Sequence, residues 1–217
     1  MNLLLHKIKN RKVLAFCTAL VVIVFSAFLC GFYTPGKSIT DFYYYKNEPQ
    51  RLNIRTDKIF IKTKGLQTPE GLTSVLSSYA EIAPITDIDK NENRHFINLK
   101  TPVTESALKN LIASINRNEE IEYSSPVYSP QNGGGNTVLQ GLIDEIIVQF
   151  KPHLSEGVIS DYLNKAGFTV RRALELSGGK SYVLKIQDNK KLLSIDAANS
   201  LYESGMVNWS EPNFYFS

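Results

Sequence analysis

The sequence predicts an α+β protein in which two tandem ferredoxin-like βαββαβ plaits follow an N-terminal transmembrane or signal helix. Three observations carry this prediction. An apolar run over residues 13–33 follows four cations, the chain repeats itself at a spacing of 86 to 87 residues, and both copies order their strand and helix patterns alike. The 217 residues, 43% hydrophobic and 21% charged, leave room for one or two ordinary globular domains.

The first predicted element, over residues 1–33, is a signal anchor or a signal peptide. Basic residues followed by about twenty apolar ones are typical of an export signal, whereas a buried core helix would show a polar stripe that is missing here. No small-x-small cleavage site follows, which favours a retained anchor. The AFLC that ends at Cys30 makes a lipoprotein the second choice. We therefore expect an exported protein, anchored in the membrane at the cell envelope by this helix.

Composition argues against several classes of function. Cys17 and Cys30 both lie in the apolar run, so the exported part offers neither a disulfide nor a thiolate metal site. The net charge of +3 comes from cations that precede the run, and no basic patch indicates nucleic acid as a partner. Those cations are Lys7, Lys9, Arg11 and Lys12.

The repeat defines two units, residues 57–128 and 144–217. DKIFIKTK of the first unit aligns with DEIIVQFK of the second, and FINLK aligns with VLKIQ. Both units close on the same phrase, an aromatic, Ser, any residue, Pro, any residue, an aromatic. Agreement at both ends and in the middle indicates a duplication. The aligned closing residues are Tyr123 with Trp209, Pro126 with Pro212, and Tyr128 with Phe214.

Each unit opens with a strand and a capped helix. Alternating Ile59 and Ile61 predict the first strand of the first unit. Thr68 is placed to cap the following helix, and Ser155 takes that position in the second unit. Gly167 stands where the second unit needs a left-handed C-terminal cap.

Two more strands, a second amphipathic helix and a last short strand complete each unit. The paired strands are predicted at 81–88 with 96–100, and at 168–175 with 181–187. The resulting order, βαββαβ, is the split βαβ of a ferredoxin-like plait, in which two helices cover one face of a four-stranded sheet. We expect the other face to be open, and an uncovered sheet face is usually a binding surface or an interface.

Two connecting segments complete the predicted organisation. Residues 129–143 contain three consecutive glycines and are predicted as a flexible linker. Residues 34–56 are rich in tyrosine and form either a spacer or a hairpin, whose polar turn would lie at 46–50.

No residue pattern nominates a catalytic group. His95 and His153 occur without a partner at metal-ligand spacing, and both are expected on the surface. The acidic pair Glu119 and Glu120 is interpreted as the solvated end of a helix. Nucleophile-elbow, phosphate-loop and metalloprotease motifs are missing. We therefore expect a protein that is not an enzyme and takes no cofactor or metal.

Four segments of the second unit carry a likeness to a known family. They are IIVQFKP at 146–152, the helix end at Gly167, YVLKI at 182–186, and VNWSEPNFY at 207–215, with its specific Glu-Pro-Asn. In this order they resemble the prodomain of secreted subtilisin-like serine proteases, of the fervidolysin-like type. The resemblance covers about a third of the chain. The first unit reads Ser-Pro-Val in place of Glu-Pro-Asn, so only the repeat assigns it to the family.

The resemblance implies an inhibitor or folding chaperone of a subtilisin-like protease. Such prodomains dock the open sheet face on the enzyme and lay a C-terminal tail as an extra strand in the substrate cleft. The tail would here lie beyond the final strand, with Phe214 and Phe216 as apolar anchors. In the family a catalytic domain follows, whereas this sequence ends at Ser217. The implied protease-binding residues are Phe214, Tyr215, Phe216 and Ser217.

Two alternatives remain open on the sequence. The chain could be an envelope protein-interaction module that uses the same fold for another partner. It could also be the N-terminal remnant of a truncated subtilase.

Overall fold

Eight strands and four helices are present in the part of the chain that the computed structural model describes, residues 38–131 and 138–217. The predicted anchor at 1–33 lies outside these residues. Among the described helices, none has the length and apolar character that a membrane span requires. The elements in chain order are β1 Phe42–Tyr45, β2 Glu48–Thr63, α1 Pro69–Leu76, β3 Arg94–Asn98, α2 Glu105–Ile115, β4 Ile121–Pro130, β5 Gln140–Phe150, α3 Glu156–Ala166, β6 Phe168–Leu174, β7 Ser181–Ile186, α4 Ser194–Glu203 and β8 Val207–Phe216.

The predicted helix caps are confirmed. The Thr68 side chain accepts a hydrogen bond from the Gly71 amide at 3.1 Å, and Ser155 accepts one from Val158 at 3.4 Å. Gly167 ends α3 with a φ of 75°, the left-handed conformation that a residue without Cβ adopts at little cost.

Every strand pairing in the described sheet is antiparallel. In the second repeat the strands lie in the order β8-β5-β7-β6. Ile146 in β5 pairs with Leu184 in β7 and with Pro212 in β8, so these three side chains share one face. That face packs against α3 and α4 through Ile159 and Leu201, which closes an apolar core.

The first repeat has the same order but lacks one strand. β2 lies between β4 and β3, as β5 lies between β8 and β7. The predicted strand over 81–88 is wrong, because only an isolated bridge joins Ile82 to Leu99. The Ala83 amide still donates to the Asn98 carbonyl at 3.0 Å, but Pro84 follows and has no amide hydrogen with which to continue the ladder.

The tyrosine-rich segment forms a hairpin, one of the two alternatives that the sequence left open. β1 pairs with the start of β2, from Phe42 opposite Arg51 to Tyr45 opposite Glu48. Its turn is two residues long instead of the five predicted. Lys46 and Asn47 have φ values of 49° and 66°, the positive values that a tight hairpin turn with the right strand twist requires.

The two repeats share one sheet, and one buried cluster contains residues of both. β4 pairs with β5 where Val127 lies opposite Gly141, so both ends of the predicted linker are strand residues, while 132–137 lie outside the described part. Leu142 and Ile195 of the second repeat belong to the same buried cluster as Tyr128 of the first. Because the two units bury side chains together, we expect residues 38–217 to unfold cooperatively.

Candidate functional site

The four residues that the resemblance assigns to protease binding end the chain along β5. Phe214 pairs with Leu142, Tyr215 with Gly141, and Phe216 with Gln140. The Ser217 amide donates to the Leu139 carbonyl at 3.2 Å, and the Ser217 hydroxyl accepts from the Leu139 amide at 3.3 Å. The expectation that these residues lie beyond the final strand is therefore wrong, since β8 extends to Phe216.

Successive side chains at the end of β8 point to opposite faces of the sheet. Phe214 packs against the first core, where its ring centroid lies 5.8 Å from that of Tyr43. Tyr215 stacks on Phe96 at 5.9 Å and lies 5.6 Å from Phe60. Phe216 is 56% exposed, whereas Phe214 and Tyr215 are half-buried.

These contacts close the sheet face of the first repeat that its helices leave free. Phe60, Tyr123 and Val127 line that face and are almost completely buried. Their cover comes from the second repeat, from Ile143 in β5 and Tyr215 in β8, with Leu139 beside them. The prediction of an open face is therefore wrong for the first repeat.

The close approach of the two repeats depends on a glycine. A Cβ on Gly141 would overlap the Phe60 ring, so only glycine lets β5 cross at this point. Charge pairs flank the crossing. Lys62 lies 2.9 Å from Glu122 and 3.8 Å from buried Asp144, and Lys185 reaches Asp144 at 3.4 Å. The second repeat is thus held against the first by both apolar and ionic contacts.

In the described residues, the equivalent face of the second repeat has no such cover from the first repeat. Register places Glu211, Ile147, Val183 and Arg172 in one row across β8, β5, β7 and β6, on the side opposite the helices. Trp209 stands in the neighbouring row. Ile147 and Trp209 are half-buried and Val183 is 5% exposed, and none of the three belongs to a buried cluster of the described chain. We call this set, Ile147, Arg172, Val183, Trp209 and Glu211, the uncovered face.

Glu211 is the electrostatic feature of the uncovered face. It is half-buried, and this burial raises the pKa of its carboxyl above the ordinary value. Among the described residues it forms no ion pair, whereas nearby Glu145 pairs with Arg171 and accepts from the Asn213 amide at 3.2 Å. A half-buried carboxylate beside apolar side chains and without a cation is suited to a partner that donates hydrogen bonds.

The two histidines of the described residues differ in burial. His95, expected on the surface, is buried under the segment that replaces the missing strand, and this burial lowers its pKa. His153 is exposed, as expected. No group of three or more His, Cys, Asp or Glu in the described residues is arranged to bind a metal.

The sequence contained a signal for the uncovered face that the search for motifs missed. Trp209 and Glu211 were noted as parts of the closing phrase, but their alternation with Ser210 and Pro212 already places them together on one face of a strand. The sequence did not indicate that the equivalent face of the first repeat is filled.

Comparison of the chain with protein-family models, with curated proteins and with solved structures gives no match.

Proposed function

We propose that the protein is a non-catalytic, propeptide-like binding partner of a subtilisin-like serine protease and acts as its inhibitor or folding chaperone. The observation that carries this proposal is the uncovered face, where a half-buried carboxylate without a cation among the described residues stands on the same side of the sheet as half-buried Ile147 and Trp209. The partner class comes from the resemblance of the second repeat to subtilase prodomains. We also propose that residues 13–33 anchor the protein in the membrane.

We assign both repeats to the ferredoxin-like plait. For the second repeat this is supported by four antiparallel strands in the order β8-β5-β7-β6 and by two helices packed on one face. The first repeat supports this assignment less fully. Three of its strands follow the same order, but a single bridge takes the place of the fourth strand.

The uncovered face, and not the end of β8, is proposed as the main contact. Insertion of Phe214 and Tyr215 into a substrate cleft would first break their pairing with β5 and expose the aromatic face at Phe60. Phe216 and Ser217 are exposed and can touch a protease without that rearrangement. We therefore give Phe214 and Tyr215 an intramolecular role and leave the last two residues as secondary contacts.

Docking on the uncovered face has a simple energetic basis. Covering Ile147 and Trp209 removes apolar area from water, which is favourable roughly in proportion to the area buried. Full burial of Glu211 is unfavourable unless the protease supplies a cation or main-chain amides at that point. A protease surface with such donors is therefore selected over a purely apolar one.

The test is an inhibition titration with the full chain in mild detergent, against subtilisin-like proteases of the same cell. We expect Trp209→Ala and Ile147→Ser each to weaken inhibition by about tenfold or more, because aromatic and aliphatic anchors dominate such contacts. Val158→Ser is the matched control, since Val158 is 49% exposed on the helical side. It should leave inhibition unchanged.

The pattern across variants decides between surfaces and partners. If Phe216→Ala alone abolishes inhibition while Trp209→Ala does not, the contact belongs to the end of β8. If the folded chain binds none of these proteases, the interaction-module alternative replaces the proposal.

A further inference from the structure

The outer edge of β3 has no partner strand in the part of the chain that the structure describes. β3 pairs with β2 alone, whereas its counterpart β7 lies between β5 and β6. The Asn98 carbonyl accepts from Ala83, so in this antiparallel strand the main chain of every second residue points away from β2. Arg94 and Phe96 therefore present their amide and carbonyl groups outward, and no described group binds them.

The two repeats begin this edge in the same way and then diverge. The Lys100 amide donates to Glu81 at 2.9 Å, as Gln187 donates to Gly167 at 3.0 Å. In the second repeat β6 continues along β7 to Leu174 opposite Ser181. In the first repeat Pro84 ends the ladder after Ala83. The place beside β3 that corresponds to β6 in the second repeat therefore holds no strand.

A cleft of about 450 Å³ lies beside this free edge. Phe96, Tyr215 and Phe216 line it with aromatic rings, and the exposed residues Asp87 and Asp89 line it as well. The Arg94 guanidinium lies over the Tyr215 ring, 5.5 Å from its centre, and forms no ion pair among the described residues. The cleft thus combines free main-chain groups, aromatic rings, two acids and one guanidinium that already lies on an aromatic ring.

We propose that the edge of β3 binds an extended peptide as an added antiparallel strand, with a basic side chain opposite Phe96. The molecule contains the template for this mode, because β6 fills the equivalent edge of the second repeat and places Arg172 opposite Val183, the counterpart of Phe96. A basic side chain at that position would meet the Phe96 ring and the acids Asp87 and Asp89. Main-chain hydrogen bonds supply affinity in this mode, and side chains supply specificity.

This site does not include the uncovered face. Its edge strand belongs to the first repeat, the end of β8 lines the cleft beside it, and the proposal needs no protease. A second copy of the chain is the competing occupant, because the outer edge of β6 is also unpaired in the described residues and Val170 on it is 50% exposed.

The probe is a blocked, fluorescently labelled peptide with the sequence of β6, Phe-Thr-Val-Arg-Arg-Ala-Leu, titrated by anisotropy against the full chain in mild detergent. Two N-methylated forms provide the matched comparison. Methylation at the residues that copy Arg172 and Leu174 removes donors that face β3, whereas methylation at those that copy Val170 and Ala173 removes donors that face away. We expect the first form to bind about tenfold more weakly or worse, and the second to bind within about threefold of the unmethylated peptide.

Acid variants test the predicted charge preference in the same assay. Asp87→Asn with Asp89→Asn should weaken the unmethylated peptide severalfold, while Glu119→Gln, which lies outside the cleft, should not. Absence of binding, or equal loss with both methylated forms, overturns the proposal. Sedimentation of the full chain tests the competing occupant. If the chain associates with itself and the peptide reverses this association, a second copy binds the edge of β3, and the proposal is overturned.

Discussion

The two repeats differ in what lies on the sheet face opposite their helices. In the first repeat Phe60, Phe96 and Tyr123 face Tyr215 and Ile143 of the second, and Phe60 is fully buried. In the second repeat the aligned positions hold Ile147, Val183 and Trp209, of which Ile147 and Trp209 are half-buried and none belongs to a cluster shared with the first repeat. One repeat thus uses this face to hold the molecule together, and the other repeat does not.

The largest expected effect tests this difference directly. Phe60→Ala should lower the free energy of unfolding by about 3–5 kcal/mol, because it empties a fully buried aromatic site. Ile147→Ala, at the aligned position, should cost less than about 1.5 kcal/mol, since the side chain is only half-buried. Urea denaturation measures both. Similar losses for the two variants would show that the second face is covered as well.

The next effect concerns the crossing at Gly141. Gly141→Ala should destabilise the fold by about 1–3 kcal/mol, because the added Cβ overlaps the Phe60 ring. Gly157→Ala is the control, since a Cβ there meets nothing within 4 Å and lies in helix α3, where alanine is favoured. Thermal unfolding should therefore move in opposite directions for the two variants. A stable Gly141→Ala protein would mean that the repeats are less closely joined.

A smaller effect separates neighbours at the end of β8. Tyr215→Ala should cost about 1–2 kcal/mol through lost contacts with Phe60, Phe96 and Arg94. Phe216→Ala should change stability by less than about 0.5 kcal/mol, because its ring is mostly exposed. Chemical denaturation of the two variants side by side gives the comparison. The reverse order would favour a fold in which Tyr215 is free to bind a protease.

The smallest expected effect is a pH dependence at Glu211. Burial raises the pKa of this carboxyl, so its contribution to stability is fully present below the ordinary value of 4.5 and is lost as pH rises through the raised pKa. Glu211→Gln should therefore be more stable than the unchanged protein at pH 7, by less than about 1 kcal/mol, and should lose this pH dependence. Unfolding followed from pH 3 to 8 measures it. A variant that is less stable at pH 7 would point to a cationic partner for Glu211 within the chain.

Local signals predicted most of the elements, and long-range contacts account for what they missed. Thr68, Ser155 and Gly167 act through neighbours in sequence, so their roles were readable from short motifs. The strand predicted at 81–88 failed because one proline outweighed an apolar pattern. The role of Tyr215 was not predictable, since it depends on Phe60 and Phe96, more than a hundred residues away. The protease-docking role of the uncovered face stays a prediction.

The most direct test of the central claim uses the single tryptophan of the chain, Trp209, which lies on the uncovered face. Full-length protein labelled with 5-fluorotryptophan should give one ¹⁹F resonance that reports on this face alone. We predict that a subtilisin-like protease with its catalytic serine replaced by alanine shifts or broadens this resonance in a saturable way, and that the Val158→Ser variant responds identically. An unchanged resonance at a protease concentration that saturates binding, as measured independently by sedimentation, would contradict the claim that the second repeat docks through its uncovered face.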